Sequence, residues 1–125
     1  MNNTDIQKLL QEANDCVPRL SFEEANNLIA TANTLIIDVR ETSEVEATGL
    51  IKNAVNIPKS IIDNNLDHSL IKNYLNKNED ITILVYCAAG IRSATVGHKL
   101  IREDYINVFN IGGYAEWLSN EEVNL

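Results

Sequence analysis

Apolar residues along the chain follow two rhythms. One is a continuous short run, as a strand covered on both faces requires; the other is a recurrence every three to four residues, as one face of a helix requires. Thr4 to about Asn14 reads as a helix, with Thr4 as N-cap and Ile6, Leu9 and Leu10 on one face. Ser21-Phe22-Glu23-Glu24 is a capping box opening a helix to about Ala32 that buries Phe22, Ala25, Leu28 and Ile29. Leu35–Val39 predicts a strand, Ser43–Ala47 a short helix ended by Gly49, and Ala54–Ile57 a strand stopped by Pro58. Ser60–Leu66 is a weak helical stretch, and Ser69 to about Asn76 a clearer helix burying Leu70, Ile71, Tyr74 and Leu75. Ile81–Tyr86 is the strongest strand and Ser93–Glu103 the strongest helix. Asn107–Ile111 is a last strand; Gly112-Gly113 turns the chain into a final helical turn at Tyr114–Leu118.

Strands alternating with helices select an α/β domain with a mostly parallel sheet and helices on both faces. Ligand sites in such sheets lie beyond the carboxyl ends of the strands. Cys87 stands at that end of the strongest strand.

Composition narrows the classes. A chain of 125 residues, 45% hydrophobic and 22% charged, fits one domain with one core. The longest apolar runs are of strand length, far below the ~20 residues of a membrane span. Met1-Asn2-Asn3-Thr4-Asp5 carries neither the basic nor the apolar part of a secretory leader, and a cytoplasmic location is expected. A formal charge of −8 argues against nucleic acid and anionic membranes as partners. The two cysteines, Cys16 and Cys87, form no C-x-x-C, and His68 and His98 do not complete a zinc-binding spacing, so no metal is expected.

The chemistry concentrates in Cys87-Ala88-Ala89-Gly90-Ile91-Arg92-Ser93. A thiol between a strand end and a helix N-terminus sits beside free backbone N–H groups, which favour a thiolate and an anion bound next to it. Cysteine phosphatases use a loop one residue longer between cysteine and arginine; here four residues, Ala88 to Ile91, intervene. The smaller ring suits a single sulfur atom. This segment resembles the C-x-x-G-x-R-(Ser/Thr) loop of single-domain rhodaneses. Asp38-Val39-Arg40 is similar to the family's D-x-R, Glu44 to Pro58 to its E-x-x-x-G-H-I-x-G-A-x-N-I-P, and Gly112-Gly113-Tyr114-Ala115-Glu116-Trp117 to its G-G-x-x-x-W, in the family's order. Leu50 replaces the usual histidine and Asn53 the usual glycine, for which Asn is the least costly substitute at positive φ.

The resemblance implies a three-layer fold with a central, mostly parallel five-stranded sheet. It sets residues 19–120 as the rhodanese-like domain and 1–18 as a helical extension. It implies a sulfurtransferase: the Cys87 thiolate takes the outer sulfur of a donor such as thiosulfate, and cyanide or a thiol removes it from the persulfide, with no cofactor. The N–H groups from Ala88 through Ala89, Gly90, Ile91 and Arg92 to Ser93 would hold the anionic sulfur. A sulfur relay delivering to a partner protein is the alternative, and a cysteine phosphatase or arsenate reductase the third reading. Arg92 is open to two roles, contact with a donor sulfonate or an ion pair. Arg40 is expected to pair with Glu44 or Glu41 and brace the loop, and Asp38 to act as an orienting acceptor. Trp117 and Tyr114 read as core or pocket wall, His98 as solvated, and Cys16 as a minor packing residue.

Overall fold

A computed structural model of the chain describes residues 3–64, 81–103, 105 and 107–123, with the side chains of 3–6, 9 and 10 left aside. The strands are β1 (Thr34–Asp38), β2 (Ala54–Asn56), β3 (Thr82–Cys87) and β4 (Val108–Gly113). The helices are α1 (Asn3–Cys16), α2 (Phe22–Thr31), α3 (Thr42–Thr48), α4 (Lys59–Asn64), α5 (Ile91–Arg102) and α6 (Tyr114–Val123). The predicted helix at Ser69–Asn76, the apolar face of α1 and the end of the Ser60–Leu66 stretch lie outside the described residues. Thr4 stands inside the first turn of α1 rather than ahead of it.

All ladders are parallel, and the sheet order is β2-β1-β3-β4. Among the described residues four strands stand where the family pattern implied five. Beyond β4, Pro18–Leu20 lies where a fifth would run, but it makes only a bridge at Arg19 and Asn110, with Leu20 N–H donating to Asn110 and Asn110 N–H to the Pro18 carbonyl. Proline has no N–H to extend the ladder, and the Ser21–Glu24 capping box starts α2 at once.

Alternation along the strands divides the core. Leu35, Ile37, Ile83, Val85, Cys87 and Val108 pack on one face with Val96 and Leu100 of α5 and Val17 after α1. Ile36, Leu84, Tyr86 and Ile111 pack on the other with Ala25 of α2 and Trp117 of α6. A period of two therefore assigns Cys87 to the face on which α5 begins. Gly97 of α5 allows α1 to dock closely, since a Cβ there would lie 2.8 Å from Val17 Cγ1.

The register of β3 against β4 shifts after Val85 and Asn110, so Tyr86 faces Gly112 and Ile111 is an extra residue. This bulge redirects the end of β4 beneath the loop that follows Cys87. Gly112-Gly113 thus closes a strand instead of forming a turn, and α6 runs on to Val123 instead of stopping at Leu118. Asn53 does take positive φ, at 69°.

Candidate active site

Cys87 is 1% exposed at the end of β3. Gly90, at φ 92°, turns the chain so that α5 starts at Ile91, two residues earlier than the apolar spacing predicts. The first N–H groups of a helix have no partner within it. Here they and the preceding turn close around the sulfur: Gly90 N–H donates to Cys87 Sγ at 3.0 Å, and Ser93 N–H at 3.4 Å. The Ser93 hydroxyl is also 3.4 Å from Sγ. Burial pushes the Cys87 thiol up; hydrogen bonds from the Ser93 hydroxyl and from the backbone of Ser93, Ala89 and Gly90 outweigh it, and the pKa is lowered.

A lowered pKa keeps the thiolate present at pH values where an ordinary thiol is protonated. Alkylation of Cys87 by iodoacetamide is expected to lose rate, as pH falls, through a midpoint below the ordinary thiol value of about 8.5. A midpoint at or above that value would contradict the cradle's effect.

Ala88 and Ala89 are exposed at the loop tip, and the Ile91 side chain points outward, 57% exposed. These three contribute backbone and shape, with no charge. Arg92 forms an ion pair: Nη1 and Nη2 donate to the two Glu44 oxygens at 2.7 and 2.8 Å. Glu44 also accepts the Glu41 N–H at 2.8 Å, tying the start of α3 to the loop. The Arg92 guanidinium lowers the Glu44 pKa to about 2; burial, the next largest effect, pushes it up, and the Glu41 N–H and the Arg40 charge lower it further. With both side chains a third exposed, 33% and 35%, solvent screening leaves the pair about 0–1 kcal/mol of stability, so its importance is in orientation.

Arg40 departs from expectation. It is buried and pairs with Asp38, neither with Glu44 nor with Glu41: Nη2 donates at 2.7 Å and Nε at 3.0 Å to Asp38 Oδ2. It also donates to Thr48 Oγ1 and the Gly49 carbonyl, and its guanidinium lies 4.2 Å from the centre of the Tyr114 ring. The Asp38–Arg40 pair therefore holds the end of α3, and through α3 it holds Glu44. Asp38 turns its carboxylate to Arg40 and accepts from its N–H and guanidinium. Tyr114 donates to the Thr48 carbonyl, and buried Trp117 packs edge-on against Phe22. His98 is partly exposed along α5, and Cys16 is exposed rather than packed.

Two contributors were not legible in the sequence. Arg19 lays its guanidinium against Gly112 and Gly90 and pairs with Glu116. Asn110 reaches Gly90 and Ser93 from β4. The only local signal for either was a polar residue in an apolar strand, Val108-Phe109-Asn110-Ile111.

Gly113 supports the loop from below. A Cβ on it would lie 2.5 Å from the Ala88 carbonyl oxygen and 3.2 Å from Ala89 Cα, so the loop backbone would have to move. Gly113→Ala is expected to slow Cys87 chemistry by about tenfold or more, because displacement of reacting groups by a fraction of an ångström is costly. Alkylation kinetics on the folded variant check this, and a wild-type rate would contradict it.

Among the described residues no helix is long and apolar enough to cross a membrane. The profile of the rhodanese-like domain family matches residues 21–120. A tRNA uridine(34) hydroxylase of Prochlorococcus marinus is 31% identical over 109 residues, 78% of this chain and 33% of that protein. A human single-domain sulfurtransferase is 26% identical with a TM-score of 0.68, covering 82% of this chain and 96% of that one. A rhodanese-like domain protein from Staphylococcus aureus is 33% identical with a TM-score of 0.61, covering 81% and 91%. The chain spans about a quarter to a third of the length of the curated relatives it matches.

Proposed function

The chain belongs to the rhodanese-like domain family, and from that premise we propose that it transfers sulfane sulfur through a persulfide on Cys87. The observation that carries this reading is the sulfur cradle: a buried thiol with a backbone N–H at 3.0 Å, a second at 3.4 Å and a hydroxyl at 3.4 Å, and with a lowered pKa. In the first half-reaction the thiolate attacks the outer sulfur of thiosulfate. The donor's S–S bond breaks, a new S–S bond forms on Cys87, and sulfite leaves with the electron pair. In the second, cyanide or a thiolate attacks that outer sulfur, and the Cys87 thiolate is the leaving group. The N–H groups stabilise negative charge on sulfur in both steps, and neither step needs a proton, a metal or a cofactor. Asp38, Arg40 and Glu44 act indirectly, by bracing α3 and Arg92.

The unit carrying this chemistry is residues 19–120, with 1–18 as an extension whose helix α1 and Val17 dock on α5. Both described cysteines are free, which fits a reducing compartment such as the cytoplasm. The uncharged Ala88-Ala89 lining offers no side chain that selects a dianion, so donor preference is broad or set by a protein partner. Steady-state thiocyanate formation from thiosulfate and cyanide tests the reading. Modest multiple turnover is expected; no thiocyanate, with Cys87 also inert to other sulfane donors, would overturn it.

A second reading rests on the curated relatives named tRNA uridine(34) hydroxylase. In it, the Cys87 unit serves tRNA modification beside other protein segments. A charge of −8 opposes direct phosphate contact by this unit, and that opposition weakens as salt rises. Gel-shift with bulk tRNA at low and physiological salt separates the readings: a retarded complex at physiological salt favours the second.

A further inference from the structure

Asn110 sits in β4 between Phe109 and Ile111 and is 2% exposed. A buried carboxamide needs partners, and this one finds them in the sulfur cradle and the strand end below it. Its Nδ2 donates to the Gly90 carbonyl at 3.0 Å. Its Oδ1 accepts from the Ser93 hydroxyl at 2.8 Å and from Gly112 N–H at 2.9 Å. The amide orientation follows from the partners, because an N–H only donates and a carbonyl only accepts. Gly90 and Ser93 are the same residues that hold Cys87 Sγ.

We infer that Asn110 is a positioning residue for sulfur transfer, locking Gly90 and Ser93 in the orientation in which both of their N–H groups face Cys87 Sγ. The inference rests on the reading of Cys87 as the sulfur-carrying nucleophile. The Ser93 hydroxyl has one proton. When Cys87 is a thiol, S–H donates to Oγ and O–H donates to Asn110. When the sulfur is anionic, the hydroxyl turns to donate to it, and Asn110 Oδ1 keeps its bond from Gly112 N–H. The cradle changes its bonding without leaving a buried polar group unpaired, which is the costly outcome.

The charged groups around the loop are Arg92 with Glu44 of α3, and Arg19 with Glu116 of α6. None is altered by replacing Asn110 with a neutral residue. Asn110→Leu keeps the number and branching of the side-chain heavy atoms and removes all three bonds. In the alkylation profile loss of the Gly90 anchor is expected to outweigh release of the Ser93 hydroxyl, which acts the other way, and to raise the midpoint by about one unit, lowering the rate near neutral pH about tenfold while the high-pH plateau stays at the wild-type value. A role in packing alone would lower the melting temperature and leave the midpoint in place; an unmoved or lowered midpoint in the folded variant overturns the inference. If Asn110→Leu does not fold, Asn110→Thr, which retains a hydroxyl near Gly112 N–H but does not reach Gly90, carries the same expectation and the same overturning result. Alkylation uses no sulfur donor, so a moved midpoint together with absent sulfur transfer would sink the proposed function and leave the positioning intact.

Discussion

Cys87→Ser is expected to reduce thiocyanate formation to the uncatalysed rate, a loss of about 10³-fold or more, with the fold unchanged. The hydroxyl fits the space of the thiol and can accept the same N–H bonds from Gly90 and Ser93. What it loses is chemical. A serine hydroxyl stays protonated at neutral pH, whereas the cradle lowers the pKa of Cys87 and favours its thiolate. An oxygen nucleophile also forms no persulfide, so the two-step path closes. The neighbouring groups offer no substitute: Arg92 is engaged by Glu44, and Cys16 is exposed on α1. Residual rates above background in Cys87→Ser would mean that another group carries the sulfur.

Asp38→Ala is expected to destabilise the domain by about 3–5 kcal/mol and, through the loosened α3 and Glu44, to slow the sulfur chemistry of the remaining folded protein only modestly. Asp38 is fully buried and Arg40 is 3% exposed. Asp38 accepts four hydrogen bonds from Arg40, one from its N–H and three from its guanidinium. Removing the carboxylate leaves a buried cation with Thr48 Oγ1, the Gly49 carbonyl and the Tyr114 ring as partners. The cost is that of an uncompensated charge and is much larger than the loss of a surface pair. Against a total stability of roughly 5–15 kcal/mol for a small domain, it is a large fraction. The melting temperature should fall by about 10–20 °C, from the usual scaling for a domain of this size. Thermal unfolding checks this; a change of a degree or two would mean that water or a rearranged side chain takes the place of the carboxylate. The Arg92–Glu44 pair is the useful contrast. It is a third exposed, so Glu44→Gln should barely move the melting temperature and should act on the loop instead.

These contrasts mark how far the sequence is readable. β1 and β3 are legible because Leu35-Ile36-Ile37 and Ile83-Leu84-Val85 are covered on both sides, and continuous apolar runs say so. The loop is legible because Cys87, Gly90, Arg92 and Ser93 are close in sequence and their spacing is set by the turn itself. Partners distant in sequence are a different matter. Arg40 has carboxylates at 38, 41 and 44 within reach of its long side chain; which of them it takes depends on α3 leaning over β1, a tertiary fact. Asn110 looks like a defect in an apolar strand until the bulge at Ile111 brings it beside Gly90 and Ser93. Pro18–Leu20 gives no strand signal because it forms a single bridge, and the extent of α6 is obscure because it buries little beyond Trp117. Gly112-Gly113 reads as a turn by composition, but Gly113 is required for close packing on the Ala88 backbone.

The central claim is that Cys87 is the atom on which sulfur rests between donor and acceptor. Intact-mass measurement of the protein after treatment with thiosulfate, without an acceptor, tests it most directly. The account predicts a gain of one sulfur atom per chain, removed by cyanide and absent in Cys87→Ser. An unchanged mass in the wild-type protein, or the same gain in Cys87→Ser, would contradict it.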